Sequence, residues 1–148
     1  MLRVSKLTDY ATVVMTCLAM TGVEVTSAQQ LADAARLELP TVSKLLKQLA
    51  HAGLVTSRRG VNGGYCLARP AAAISVADIV TAMEGPIGMT ECSAHAGACD
   101  HESHCGIRVN WQRISQAVRN ALQDVSLADM VAAPPRRPAG IPLRVASH

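Results

Sequence analysis

"SAQQLADAARLELPTVSKLLKQLAHAGLVTSRRGVNGGYCLARP", residues 27–70, decides the fold. It opens on Ser27 and Gln30, an S-x-x-Q capping box whose side chains reciprocally satisfy helix-terminal N–H groups, which predicts a helix running to about Arg36. After the connection Leu37-Glu38-Leu39, Pro40 suits the first position of a second helix, where its missing N–H has no intrahelical partner. In that helix Val42, Leu45, Leu46 and Leu49 form one apolar stripe, and Thr41, Lys44, Gln48 and His51 lie off it. Gly53 can take the left-handed conformation that stops it. Two short β-prone stretches follow, residues 54–58 and 64–68, and Asn62-Gly63 between them is a strong hairpin-turn signal. Helix, short turn, helix and basic-tipped hairpin describe a winged helix-turn-helix.

Upstream, Leu7, Ala11, Val14 and Leu18 recur at helical spacing behind Ser5, a suitable N-cap, and predict a first helix over residues 6–20. Downstream, Ser75 and Asp78 cap another amphipathic helix that buries Val76, Ile79, Val80 and Met83 and ends at Gly85. A loop over residues 86–105 comes next. Beyond it Ile107, Trp111, Ile114, Val118, Ala121 and Val125 repeat at steps of four and three, a seam suited to packing along a partner helix, though only about two and a half heptads long. Ser126 caps a last turn over 126–130, and "PPRRPAG" from Pro134 reads as disordered. The expected architecture is mainly α: a winged helix-turn-helix over 1–69, a helix and cysteine-rich loop over 70–106, a dimerisation helix with a short terminal helix over 107–131, and a disordered tail over 132–148.

At 148 residues, 49% hydrophobic and 17% charged, the chain can bury one core. Its net charge of +3 conceals a swing: residues 36–69 hold six Lys/Arg against one acid, and residues 70–105 hold five acids and no Lys/Arg. The basic block favours a polyanionic partner. With no Phe, two Tyr and one Trp there is little to stack on unpaired bases, so duplex DNA is the expected polyanion. In a winged helix the polar face carrying Thr41, Ser43, Lys44 and Lys47 enters the major groove. Arg58, Arg59 and Asn62 then approach the backbone or minor groove, while Tyr65 packs the wing. Such proteins bind paired half-sites, so a homodimer on a palindromic operator is expected. A winged helix using its basic face on an acidic protein is the alternative.

"ECSAHAGACDHESHCG", residues 91–106, holds three of five cysteines and three of five histidines. Cys92, Cys99 and Cys105 have the spacing C-x6-C-x5-C, wider than structural zinc knuckles. Thiolates favour iron-sulfur clusters, zinc or cuprous copper, and a long loop can wrap something larger than one ion. A thiol redox switch and inert surface cysteines are the alternatives. Cys17 and Cys66 sit in apolar patterns and are expected to be small buried hydrophobes. The odd cysteine count and lack of a secretory signal point to reduced cytoplasmic thiols. The apolar stretch 11–20 is too short to span a bilayer. No C-x-x-C, H-E-x-x-H or phosphate-cradling glycine loop is present, so an enzyme is not expected.

"LTDYATVV", residues 39–70, "ISVADIVTAMEGP", the three cysteines, "NWQRI" and "SLADM" together resemble the Rrf2 family of winged-helix regulators, over about residues 1–131. That family includes iron-sulfur cluster biogenesis regulators and nitric-oxide-sensing repressors, and the likeness is greatest to its Suf-system assembly regulators. The resemblance implies a homodimeric transcription factor in which Cys92, Cys99 and Cys105 hold a 2Fe-2S or 4Fe-4S cluster, regulating cluster-assembly genes. The biogenesis regulators place a His ligand three residues after the last Cys, where this chain has Arg108. The nitric-oxide sensors use an acid near the start of the first helix of the other subunit, a place that Asp9 occupies here. Asp9 is therefore put ahead of His95, His101 and His104 as fourth ligand. Other outcomes are a nitric-oxide-sensing repressor, or a winged helix controlled by zinc or thiol redox chemistry.

Overall fold

The computed structural model describes residues 3–132; the remainder of the tail expected to be disordered, 133–148, lies outside them. Helix α1 (Lys6–Thr21) starts where the Ser5 hydroxyl accepts the Thr8 N–H, and it buries Thr8, Ala11, Val14, Met15 and Leu18 on one face. Helix α2 (Ala28–Ala35) carries the Ser27/Gln30 capping box and ends on Arg36, which has a left-handed φ of 53°. Helix α3 (Leu39–His51) begins one residue earlier than the proline suggested: Pro40 is its second residue, where a missing N–H is equally harmless, and Glu38 precedes it without a side-chain cap. Val42, Leu45, Leu46 and Leu49 are its buried stripe.

The wing is an antiparallel pair, β1 (Val55–Arg58) and β2 (Gly64–Leu67), in the register Val55↔Leu67 to Arg58↔Gly64. Its tip departs from the expected Asn-Gly turn. Gly63 N–H donates to the Gly60 carbonyl at 2.9 Å, so Val61 and Asn62 are the central residues. The positive φ falls on Gly60, at 117°. Gly63 is needed for close approach instead, since a Cβ there would stand 2.5 Å from the Arg58 carbonyl oxygen. The wing is also tied back to the body through residue 26: Thr26 and Tyr65 exchange both backbone hydrogen bonds, at 2.9 and 2.8 Å.

Helix α4 (Val76–Glu84) has the Ser75/Asp78 capping box and stops at Gly85. Residues 86–107 form no long element, only the one-turn α5 (Glu91–Ala94) and a 3-10 turn at Glu102–His104. Helix α6 (Arg108–Gln123) follows, then α7 (Leu127–Val131) with a Ser126/Asp129 capping box. The core is closed from both ends of the chain. Leu127 of α7 is fully buried in the same cluster as Met15, Leu18, Leu45, Leu49, Ile74 and Ile79. The Leu127 N–H to Ile74 carbonyl bond at 2.7 Å and the Val76 N–H to Val125 carbonyl bond at 2.9 Å hold the starts of α4 and α7 side by side. Each buried leucine or isoleucine contributes roughly 1.5–3 kcal/mol of apolar burial.

Candidate nucleic-acid interface and cysteine segment

Helix α3 turns its leucines inward, and that fixes what it offers outward. Lys44 and Lys47 are exposed, and Thr41 and Ser43 are half-buried at the start of the same helix. Gln48 is less available than its place off the stripe suggested, because its amide oxygen is buried without a hydrogen-bond partner among the described residues. In the wing Arg58, Arg59 and Asn62 are all exposed. Arg58 also lines a hollow of about 410 Å3 behind the wing, with Val23, Cys66 and Arg69. Tyr65 packs against the core cluster. The arrangement puts two exposed lysines on a helix face and two exposed arginines on a hairpin, cations available to a polyanion.

Cys66 corrects one expectation: it is half-buried, its sulfur 4.0 Å from the Thr56 carbonyl, because β2 covers the core with Tyr65 and Leu67 on the other face. Cys17 is likewise only half-buried, but it packs against the core, and burial pushes its thiol pKa up.

Cys92, Cys99 and Cys105 are free, half-buried thiols. Cys92 lies in α5, whose start is organised by Thr90: the Thr90 N–H donates to the Ser93 hydroxyl at 3.2 Å, and the Thr90 hydroxyl sits 3.3 Å from the Cys92 sulfur. Cys99 and Cys105 flank the 3-10 turn. His95, His101 and His104 are exposed, as is Asp9 near the start of α1. Soft thiolates with imidazole or carboxylate nearby are a donor set that suits an iron-sulfur cluster or zinc. Among the described residues, however, no three His, Cys, Asp or Glu side chains converge to metal-binding geometry. The donor chemistry fits, and gathering it requires this segment to rearrange.

The periodicity of α6 concealed a second feature. Its apolar seam is left uncovered: Ile107 is 58% exposed, Trp111 36%, Ile114 45% and Val125 38%. The one buried residue of the helix is polar, Ser115, whose hydroxyl accepts the Met89 N–H at 2.9 Å. Arg119 donates to the Ile87 carbonyl at 2.8 Å. Arg108, three residues after Cys105, pairs with Glu102, whose other oxygen accepts the Gly97 N–H at 2.6 Å. Serine and arginine spaced along a polar helix face carry no distinctive sequence signal, so these anchors were not foreseen.

A family model described as Rrf2, iron-dependent transcriptional regulator, matches residues 4–133. The transcriptional regulator IscR of Erwinia tasmaniensis is 33% identical over 95 residues, 64% of this chain and 57% of that protein. Among solved structures, CymR, the global cysteine regulator of B. subtilis, is similar with a TM-score of 0.69 and 32% identity, over 88% of this chain and 97% of that one. IscR of T. potens has a TM-score of 0.65 and 30% identity, over 88% of this chain and 86% of that one. Among the described residues no helix is long and apolar enough to cross a membrane.

Proposed function

Because this chain belongs to the Rrf2 family of transcriptional regulators and is a DNA-binding regulator rather than an enzyme, we propose that its affinity for a duplex operator is set by an iron-sulfur cluster held on Cys92, Cys99 and Cys105. The single observation that carries this reading is the presence of three free, half-buried thiols on a segment that rests on α6, apart from the basic winged helix. Thr41, Ser43, Lys44 and Lys47 would read or approach the major groove, and Arg58, Arg59 and Asn62 the backbone or minor groove. The uncovered seam of α6 supports a homodimer, and with it a palindromic operator.

In such a dimer the fourth donor would be Asp9 of the partner subunit, with His95, His101 and His104 as the donors within reach of the segment's own sequence. A bound cluster supplies a centre that oxygen, nitric oxide or iron shortage can alter or remove. The three thiolates would gather around it, which requires Cys99 and Cys105 to move toward Cys92 and so to pull on the segment's attachments to α6. Helix α6 would then change the separation or tilt of the two α3 helices, and so operator affinity. Cluster-assembly genes are the expected targets.

A second reading has its own support. The thiols do not converge to a metal site, and the chain is similar to CymR, described as a cysteine regulator; both favour direct thiol redox control of the same segment. Anaerobic purification with an absorption spectrum and iron and sulfide counting separates the two. The cluster reading expects visible absorbance and equimolar iron and sulfide. Colourless protein that stays so after ferrous salt and sulfide are supplied leaves the thiol reading.

A further inference from the structure

Arg108, Ser115 and Arg119 stand seven and four residues apart, which places them on one narrow face of α6 at about 3.6 residues per turn. The uncovered apolar seam lies roughly a quarter turn away. All three polar residues grip the cysteine segment. Ser115 accepts from Met89 N–H, Arg119 donates to the Ile87 carbonyl, and Arg108 pairs with Glu102, which also holds Gly97. Between the first two anchors, Gly88 passes so close to α5 that a Cβ would overlap the backbone of Ala94. The strap 87–89 therefore carries α5, and Cys92 within it, as one piece with α6. On its other side Arg119 lines a cavity of about 480 Å3 together with His51 at the end of α3 and Thr81 of α4.

We infer that Ser115 and Arg119, with Arg108, are positioning residues that clamp the cysteine segment to α6, so that a change of state at the thiols moves the helix instead of being absorbed by the loop. This rests on the proposed function and names the residues through which it acts. The contacts suit that role because a buried hydroxyl and a guanidinium bonded to backbone fix position without depending on which side chains the strap carries.

Hydrogen exchange in metal-free, full-length protein tests the clamp without any cofactor. In Ser115→Ala the Met89 amide should exchange about tenfold faster, with core amides of α3 unchanged. The coupling is then read as the ratio of operator affinities between protein reconstituted anaerobically with ferrous salt and sulfide and metal-free protein, at one salt concentration. Arg119→Ala should keep wild-type iron content and metal-free affinity while the ratio falls to within about twofold of one; Arg119→Lys, which retains a donor, should restore it. Unchanged Met89 exchange, or a wild-type ratio in Arg119→Ala, overturns the inference. A wild-type protein whose two forms bind equally defeats the proposed function instead, and the exchange experiment still judges the clamp.

Discussion

The winged-helix body and the cysteine segment are built on opposite principles. From α1 to α4 every helix buries an apolar face, and α7 adds Leu127 to the same cluster. Between Pro86 and Ile114 no residue is buried at all, and the chain is held by Thr90, Glu102, Arg108, Ser115 and Arg119. Apolar burial at roughly 1.5–3 kcal/mol per side chain outweighs net hydrogen bonds at about 0.5–1.5 kcal/mol each, so the body is rigid and the segment is the part that opens first. A region so weakly held is where the binding energy of a metal centre can be spent on moving structure. The body presents a fixed surface; the segment is the part that can respond.

Substitutions should separate the two regions cleanly. The largest effect is expected from Cys92→Ala, Cys99→Ala and Cys105→Ala, each of which should abolish iron and sulfide retention while leaving the metal-free melting temperature within about 2 °C of wild type. A cysteine variant that melts much lower would mean that the segment supports the fold after all. Leu127→Ala should do the reverse: a loss of about 3 kcal/mol, seen in denaturant unfolding, from the cavity left in the core. Next, Lys44→Ala should weaken specific operator binding about tenfold, and Arg59→Ala should mainly reduce the salt slope by about one; equal footprints for both variants would refute the groove assignment.

The smallest effect is expected inside the body, where α4 meets the start of α1. Glu84, at the end of α4, accepts from the Thr8 hydroxyl at 2.5 Å and the Ser5 N–H at 2.7 Å, and these bonds hold its pKa below the ordinary 4.5. A lowered carboxylate pKa stabilises the fold above the unfolded value and loses that contribution as pH falls through the folded one. Glu84→Gln should therefore cost less than about 1 kcal/mol near neutral pH, because solvent screens this exposed carboxylate, and flatten the stability profile below about pH 4.5, as read by unfolding at several pH values.

The body was legible in the sequence because its determinants are local or periodic. Ser5, Ser27, Ser75 and Ser126 cap helices as expected, Ser27 and Ser75 with the partners three residues on that marked them, and the Val42/Leu45/Leu46/Leu49 stripe is the buried one. The wing tip misled, since Gly60 rather than Asn62-Gly63 supplies the unusual backbone angle, and several turns satisfy the same composition. Cys66 misled for a related reason: on a short edge hairpin an apolar neighbour on each side does not make a residue interior. The anchors of the cysteine segment were illegible because they join side chains to backbone atoms some 26 and 32 residues distant, a pairing with no periodicity. The cysteine spacing marked a candidate site; the polar stripe of α6 that holds the segment emerged only in three dimensions.

The central claim is that the thiols govern the grip on DNA, and operator titration at one salt concentration tests it most directly, comparing protein reconstituted anaerobically with ferrous salt and sulfide against the same preparation stripped of metal. A difference of at least about tenfold, or 1.4 kcal/mol, that vanishes in Cys99→Ala is the predicted result. Equal affinities for the two forms, with iron and sulfide demonstrably bound in the first, would contradict it.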